Sequence, residues 1–198
     1  MTMPAVAPRR GSATPAKAFL AYLGKHLELR NRIRAFPNRS VAYVGDFSDG
    51  ASWVRLLRRQ WTDPRVNDYQ MLPDVLNSIP CPRELYAAVG LVTPPGVRTL
   101  LHYVQFLTGD GPYPAQVPWP QGGFIIWRAL SGIFMSNATG RLRLMIGDAP
   151  APGTKVFFRT EVFVLDRNPN IDLFSKQAVH EIRTQMKSGA LKGTVELM

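Results

Sequence analysis

Cysteine and long apolar runs are almost absent from this 198-residue chain. Cys81 is the only cysteine, which excludes an internal disulfide and any cysteine-rich zinc site. The start of the chain holds no apolar stretch of signal-peptide length, and no run approaches about 18 apolar residues. We therefore expect a protein that stays in a reducing, cytoplasmic compartment and has no membrane partner.

Catalytic and metal-binding motifs are missing as well. The three histidines form no HExxH pattern, and neither a GxSxG nor a GxGxxG sequence occurs. The stretch 45–52 has the spacing of a phosphate-binding loop, but Ala51 stands where the lysine is needed. We predict no enzyme, no cofactor and no resident metal. Two alternatives stay open: a cation between subunits on Asp46 or Asp49, and an enzyme built on Cys81.

Acidic residues are scarce at the N-terminal end. Residues 1–39 contain eight lysines and arginines against a single acid, Glu28, so they carry +7 of the formal net charge of +10. The remainder of the chain is close to charge-balanced. Such an asymmetry indicates a polyanionic partner.

The basic region divides into a tail and a helix. Residues 1–13 are small, Pro-rich and basic, which is typical of a mobile tail. Thr14 and Pro15 fit a helix N-cap followed by proline at the first helical position. The apolar spacing then predicts a helix to about Arg34, ended by Pro37.

Short apolar runs between Pro- and Gly-rich turns fill residues 40–168. The stretch 154–167 alternates from residue to residue and predicts the clearest strand. Aromatic content and flanking turns favour strand for the other runs, with helix left open for two of them, 53–61 and 97–107. The predicted strands are 40–47, 84–92, 97–107, 124–135, 141–147 and 154–167, and the run 53–61 could be either strand or helix.

The C-terminal part returns to helical spacing. Residues 171–187 predict a helix with Gly189 as its stop. The last eight residues would add a short edge strand or swap onto another subunit. We assign residues 1–39 to a basic arm with a short helix, 40–168 to a β-rich body and 169–198 to a helical extension. The four tryptophans lie in or beside apolar runs, which favours packing over base stacking.

A basic arm followed by about eight short β-runs resembles the coat proteins of small positive-strand RNA viruses. The passage from Arg141-Leu-Arg-Leu through 152–165 is similar to the last two strands of their jelly roll. The resemblance implies a mainly β fold: a single eight-stranded antiparallel jelly-roll sandwich with a basic N-terminal arm and a C-terminal helix. It also implies self-assembly into a shell, packaging of genomic single-stranded RNA, and location in the virion, with assembly in the host cytoplasm.

The first functional hypothesis is therefore a viral coat protein, and the alternative is a non-capsid RNA-binding protein, such as a viral movement or silencing protein or a cellular module. In both, lysines and arginines neutralise phosphates and release counterions. For Arg55, Arg58 and Arg59, contact with RNA and plain surface charge are equally open interpretations. The predicted RNA-binding residues are Arg9, Arg10, Lys17, Lys25, Arg30, Arg32, Arg34, Arg39, Arg55, Arg58 and Arg59.

Overall fold

The structure is a computed structural model that describes residues 14–44, 69–110, 112–117, 122–146, 156–188 and 195–197. These residues are mostly helical. The helices are α1 (Pro15–Lys25), α2 (Leu27–Arg32), α3 (Leu72–Ser78), α4 (Arg83–Val89), α5 (Leu100–Thr108), α6 (Phe124–Ser136), α7 (Val162–Arg167) and α8 (Leu173–Ser188), with a π-helical segment, Phe157–Glu161, directly before α7.

A small mixed sheet accompanies these helices. Strand β1 (Ser40–Val44) pairs in parallel with β2 (Leu142–Ile146), in a register that places Ser40 opposite Leu142. Strand β3 (Val195–Leu197) pairs antiparallel with the other edge of β2. The strands predicted at 40–47 and 141–147 are confirmed over their described residues, and the C-terminal tail forms the edge strand.

The predicted jelly roll is wrong, because the described residues are mainly helical. The runs 84–92, 97–107 and 124–135 form α4, α5 and α6 instead of strands. The run 124–135 is apolar at nearly every residue, and the other two runs are short and largely apolar, so the periodicity that separates strand from helix is weak in the sequence. The start of helix α5 is also capped as a helix is: the Thr99 hydroxyl accepts a hydrogen bond from the His102 amide at 3.3 Å.

The clearest predicted strand, 154–167, is also wrong. From Phe157 it forms the π-helical segment and then α7. Among the side chains described in this stretch, Glu161, Val162 and Leu165 are buried. Their spacing, at residues i, i+1 and i+4, belongs to a helix. The alternation between charged and apolar residues therefore did not report which side chains are buried.

The N-terminal helix begins as predicted but is shorter. Thr14 caps α1, accepting from the Lys17 amide at 3.4 Å, and proline occupies the first turn. The backbone leaves the helical region at His26 (φ −106°, ψ 81°), and α2 then ends at Arg32. The predicted single helix to Arg34 is thus two helices with a break between them.

One hydrophobic core joins the N-terminal helices to the rest of the described chain. Phe19 of α1 and Tyr103 of α5 are fully buried, with ring centroids 6.3 Å apart. Helix α1 packs on α4 and α6, and α3 packs on α5 and α6. The cations from Lys17 to Arg39 therefore lie on a packed body. The three-part domain division stays a prediction.

The C-terminal helix is confirmed as α8 and packs on α7. Asn168, between them, is buried and donates to the carbonyls of Met135 (2.8 Å) and Ala138 (2.9 Å), which satisfies the end of α6. Trp127 is buried as predicted, and its indole N–H donates to Asp110 at 2.7 Å. In the part of the chain that the structure describes, no helix has the length and apolarity needed to cross a bilayer.

Candidate nucleic-acid interface

The predicted cations within the described ranges lie at the surface. Lys17 and Lys25 are exposed on α1, where Phe19 and Leu23 face the core. Arg32 and Arg34 are exposed and Arg30 is half-buried on and just after α2. Since no carboxylate of the described residues pairs with these three arginines, their charge is available to an external anion.

The chain that carries these arginines is held to the end of α6. Asn137, the residue after α6, donates through Nδ2 to the Arg30 carbonyl at 2.8 Å and to the Ile33 carbonyl at 3.1 Å. Both acceptors are carbonyls at the end of α2, and the Arg30 carbonyl also accepts from the Ile33 amide at 3.1 Å. The segment around Arg32 and Arg34 is thus fixed to the core.

A second connection joins Asn38 to the chain before β2. The Asn38 amide donates to the Thr139 carbonyl at 2.9 Å, and its side-chain Oδ1 accepts from the Arg141 amide at 2.8 Å. Asn38 has a positive φ of 62°, and Gly140 one of 73°. A Cβ added at Gly140 would lie 2.0 Å from Asn38 Oδ1. This close approach sets the backbone beside Arg39 against the backbone of Arg141.

Phe36 is the exposed aromatic ring of this region. It is 63 % exposed, and the Arg39 guanidinium lies 5.6 Å from its ring centroid. The Phe36 amide donates to Gln70 Oε1 at 2.8 Å, so the backbone below the ring is fixed. An exposed ring beside a cation is the arrangement on which unstacked bases bind.

Phe174, at the start of α8, forms a similar pair with Arg141. The Arg141 guanidinium lies 5.0 Å from the Phe174 centroid, and the ring is 44 % exposed. Arg141 also pairs with Asp172 at 3.2 Å. Burial raises the pKa of Asp172, but hydrogen bonds from Ser175 and Arg141 outweigh it, and the net shift is downward. Arg141 is therefore oriented by an ionised carboxylate.

These residues form what we call the basic–aromatic surface. Four of its cations and Phe36 come from the chain that ends and follows α2, Arg141 is the residue before β2, and Phe174 comes from α8. Sequence reasoning predicted those four cations. It missed Arg141 and Phe174, because the Asn38–Gly140 contact is not visible in the sequence, and it missed Phe36, whose exposure is known only from the structure. The surface consists of Arg30, Arg32, Arg34, Phe36, Arg39, Arg141 and Phe174.

Lys17 and Lys25 belong to α1, and no contact given above connects them to the basic–aromatic surface.

Several residues predicted to bind RNA or a cation lie outside the described residues. Asp46 and Asp49 also fall outside, as do three of the four tryptophans. The five remaining predicted cations that the structure does not describe are Arg9, Arg10, Arg55, Arg58 and Arg59.

Cys81 lacks the properties of a catalytic nucleophile. Burial raises the pKa of its thiol to about 11, although a hydrogen bond with Tyr86 lowers it in part. A thiol with such a pKa stays protonated at neutral pH, and the thiolate is the reactive form. The Tyr86 hydroxyl itself donates to the Val97 carbonyl at 3.0 Å. The described surroundings of Cys81 therefore do not activate its thiol as a nucleophile.

Glu161 is a titratable group in an unusual environment. It is buried at the end of the π-helical segment, and its Oε2 has no hydrogen-bond partner among the described residues. Burial raises the pKa of Glu161 to about 7, and a hydrogen bond from Ser131 offsets part of that rise. Because the carboxyl is buried, it does not meet a substrate in this conformation. The sequence around Glu161 does not indicate that its carboxyl is buried.

A further group of titratable side chains lines a cleft on α8. His180 and Glu181 are exposed on α8, as predicted for a solvated face, and border an open cleft beside Asp166. Asp166 is engaged in an ion pair with Arg183. Within the described ranges, no three His, Cys, Asp or Glu side chains are grouped so that they could hold a metal ion.

Comparison with known proteins adds no assignment. No protein-family model, curated protein or solved structure matches this chain.

Proposed function

We propose that this protein binds single-stranded RNA through the basic–aromatic surface. The observation that carries the proposal is the exposed ring of Phe36 beside Arg39, on a segment whose arginines Arg32 and Arg34 have no carboxylate partner among the described residues. Cations and an aromatic platform on one fixed segment provide both of the interactions that single-strand binders use.

The arginines supply the part of the affinity that does not depend on sequence. Each phosphate that they neutralise releases condensed counterions, so the logarithm of the association constant falls by about 0.7 per contact for each tenfold rise in salt. Arg30 and Arg32 lie in the last turn of α2, where a cation also favours the helix dipole. That stabilising role explains these two cations but not Arg34, which lies beyond the helix.

The two exposed rings favour a single strand over a duplex. In a duplex the faces of the bases are stacked on each other, whereas unpaired bases present a face to Phe36 or Phe174. The guanidinium groups of Arg39 and Arg141 already lie near those rings. A base stacked on the outer face of either ring would place its phosphate within reach of the same arginine.

The salt dependence of binding tests the proposal. We expect Arg32→Gln/Arg34→Gln to reduce the slope of log K against log salt by about 1.4, since two phosphate contacts are lost. The matched control is Arg83→Gln/Arg98→Gln, two exposed arginines outside this surface, which should leave the slope unchanged. Fluorescence anisotropy of a labelled oligouridylate measures both. Equal slopes for the two double variants, or no binding by the wild type, would refute the assignment.

The coat-protein role stays a prediction, but the jelly-roll fold that the resemblance implied is wrong. RNA as partner is common to both hypotheses, whereas self-assembly belongs to the coat protein alone. We favour the non-capsid RNA-binding protein for this reason. Negative-stain electron microscopy with and without RNA separates the two: closed particles would reinstate the coat protein, and dispersed complexes would exclude it.

A further inference from the structure

A second pair of arginines converges on one aromatic ring at the start of α6. The Arg128 guanidinium lies 5.6 Å and the Arg159 guanidinium 5.8 Å from the centroid of Phe124. Arg128 lies one turn after Phe124 on α6, and Arg159 belongs to the π-helical segment. The packing of these two elements therefore brings together two cations that are 31 residues apart in the sequence.

The charge of this pair is not neutralised by the described residues. Both arginines are exposed, and neither has a carboxylate partner there. The Nε of Arg128 donates to the Thr160 hydroxyl at 2.9 Å, which orients the guanidinium without changing its charge. Glu161, the nearest acid in the sequence, is turned into the core toward Ser131. Two like charges held near one ring repel each other, and an anion between them would remove that repulsion.

Exposed apolar side chains neighbour the pair in the sequence. Phe163 is four residues after Arg159 and 40 % exposed, and the Arg183 guanidinium lies 5.1 Å from its centroid. Ile125 next to Phe124 is also exposed. Phe124 itself is half-buried, with the two arginines beside its ring.

The pair is separated along α6 from the residue that holds the end of α2. Asn137 follows Arg128 by nine residues, which is about two and a half turns of helix. In a regular helix that spacing places the two residues about 14 Å apart along the axis and on opposite sides of it. The pair is thus a cluster of charge separate from the segment that Asn137 holds.

We propose that Phe124, Arg128 and Arg159 form a second site for the phosphates of single-stranded RNA, so that one molecule holds two RNA segments. The inference rests on the proposed function, because it takes RNA as the ligand. The two guanidinium groups would hold a phosphate, and the rings of Phe124 and Phe163 would contact the adjacent bases. A protein with two such sites links separate strands or separate parts of one strand.

Stoichiometry tests the second site. The probe is an oligouridylate of about four nucleotides, titrated at low salt and followed by isothermal calorimetry. We expect two oligonucleotides per chain for the wild type and for Arg83→Gln/Arg98→Gln. Arg128→Gln/Arg159→Gln and Arg32→Gln/Arg34→Gln should each bind one, at different sites.

Because Arg128→Gln also removes the bond to Thr160, the single variant Arg159→Gln serves as a second test. It should melt like the wild type and weaken one of the two binding events about tenfold. A single oligonucleotide on the wild type, unaffected by Arg159→Gln or Arg128→Gln/Arg159→Gln, would overturn the second site and leave the first intact. Two oligonucleotides with no loss in Arg32→Gln/Arg34→Gln would instead contradict the proposed function.

Discussion

At the residue scale, the ring of Phe36 separates a nucleic-acid contact from ordinary surface charge. Arginines at a protein surface are common and have several uses, including the stabilisation of helix ends. A phenylalanine that is 63 % exposed on a segment fixed by Gln70 and Asn38 is not explained by packing. Stacking on a base would bury the exposed face of that ring.

The change Phe36→Ala should therefore weaken RNA binding without changing its salt dependence. Loss of one stacked base lowers the affinity roughly tenfold, while the number of phosphate contacts stays the same. Anisotropy titrations over a range of salt measure both quantities. Val92→Ala, at an apolar residue that is 90 % exposed elsewhere on the surface, is the control. Equal affinities for the two alanine variants would show that Phe36 does not stack.

Glu161 makes stability depend on pH. Its pKa is raised from 4.5 to about 7 in the folded protein by burial. Between these two values the unfolded chain releases a proton that the folded protein retains, so raising the pH favours unfolding. The free energy of unfolding should fall by on the order of 3 kcal/mol from this group, with the loss complete above pH 7.

The substitution Glu161→Gln should remove that loss and raise stability at pH 8. Urea denaturation at pH 5 and pH 8 measures the difference, with Glu181→Gln on the exposed side of α8 as control. A wild type whose free energy of unfolding changes as much as that of Glu161→Gln over this range would contradict the raised pKa.

At the element scale, the turn between α6 and β2 sets the positions of the functional side chains. Gly140 has a positive φ and approaches Asn38 closely, and this contact places Arg141 beside the loop that carries Arg39. A side chain at residue 140 would meet two obstacles, an unfavourable backbone conformation and the Asn38 amide.

Two glycine-to-alanine substitutions should act in opposite directions. Gly140→Ala should destabilise the fold by about 1–3 kcal/mol. Gly24→Ala lies in α1, where an added Cβ meets nothing within 4 Å, and should stabilise it by about 0.5–1 kcal/mol. Thermal unfolding of the two variants provides the comparison. Stabilisation by Gly140→Ala would show that the contact with Asn38 is not formed.

The same scale explains which elements could be predicted from the sequence. In the C-terminal helix and the two strands at 40–47 and 141–147, the spacing of the apolar residues matches the element, and turn-forming residues mark its ends. The run 124–135 is apolar at nearly every residue, so the sequence does not distinguish a buried strand from a buried helix there. In 154–167 the alternation conflicts with helical burial, and packing against α6 decides the outcome.

The candidate site was predictable only in its charge. The cluster of cations in residues 1–39 identified a polyanion as the partner, and Arg30, Arg32, Arg34 and Arg39 were among the residues named. The rings and Arg141 come from contacts between segments about 100 residues apart, such as that between Asn38 and Arg141. Contacts of that separation leave no local pattern in one sequence.

At the scale of the whole molecule, the basic residues from Lys17 onward belong to a body with one hydrophobic core. Helix α1 contributes Phe19 and Leu23 to that core, so RNA would meet a fixed surface as well as any contact made by residues 1–13. The central claim is that this fixed surface contacts the RNA, through the ring of Phe36 and the arginines around it.

Ultraviolet cross-linking to single-stranded oligouridylate, followed by mass spectrometry of the peptides, tests this claim most directly. We expect RNA adducts on the peptides that contain Phe36 and Phe174, and we expect them to decrease as salt is raised. Adducts confined to residues 1–13 and 45–68, with none on 30–39 or 141–174, would contradict the account.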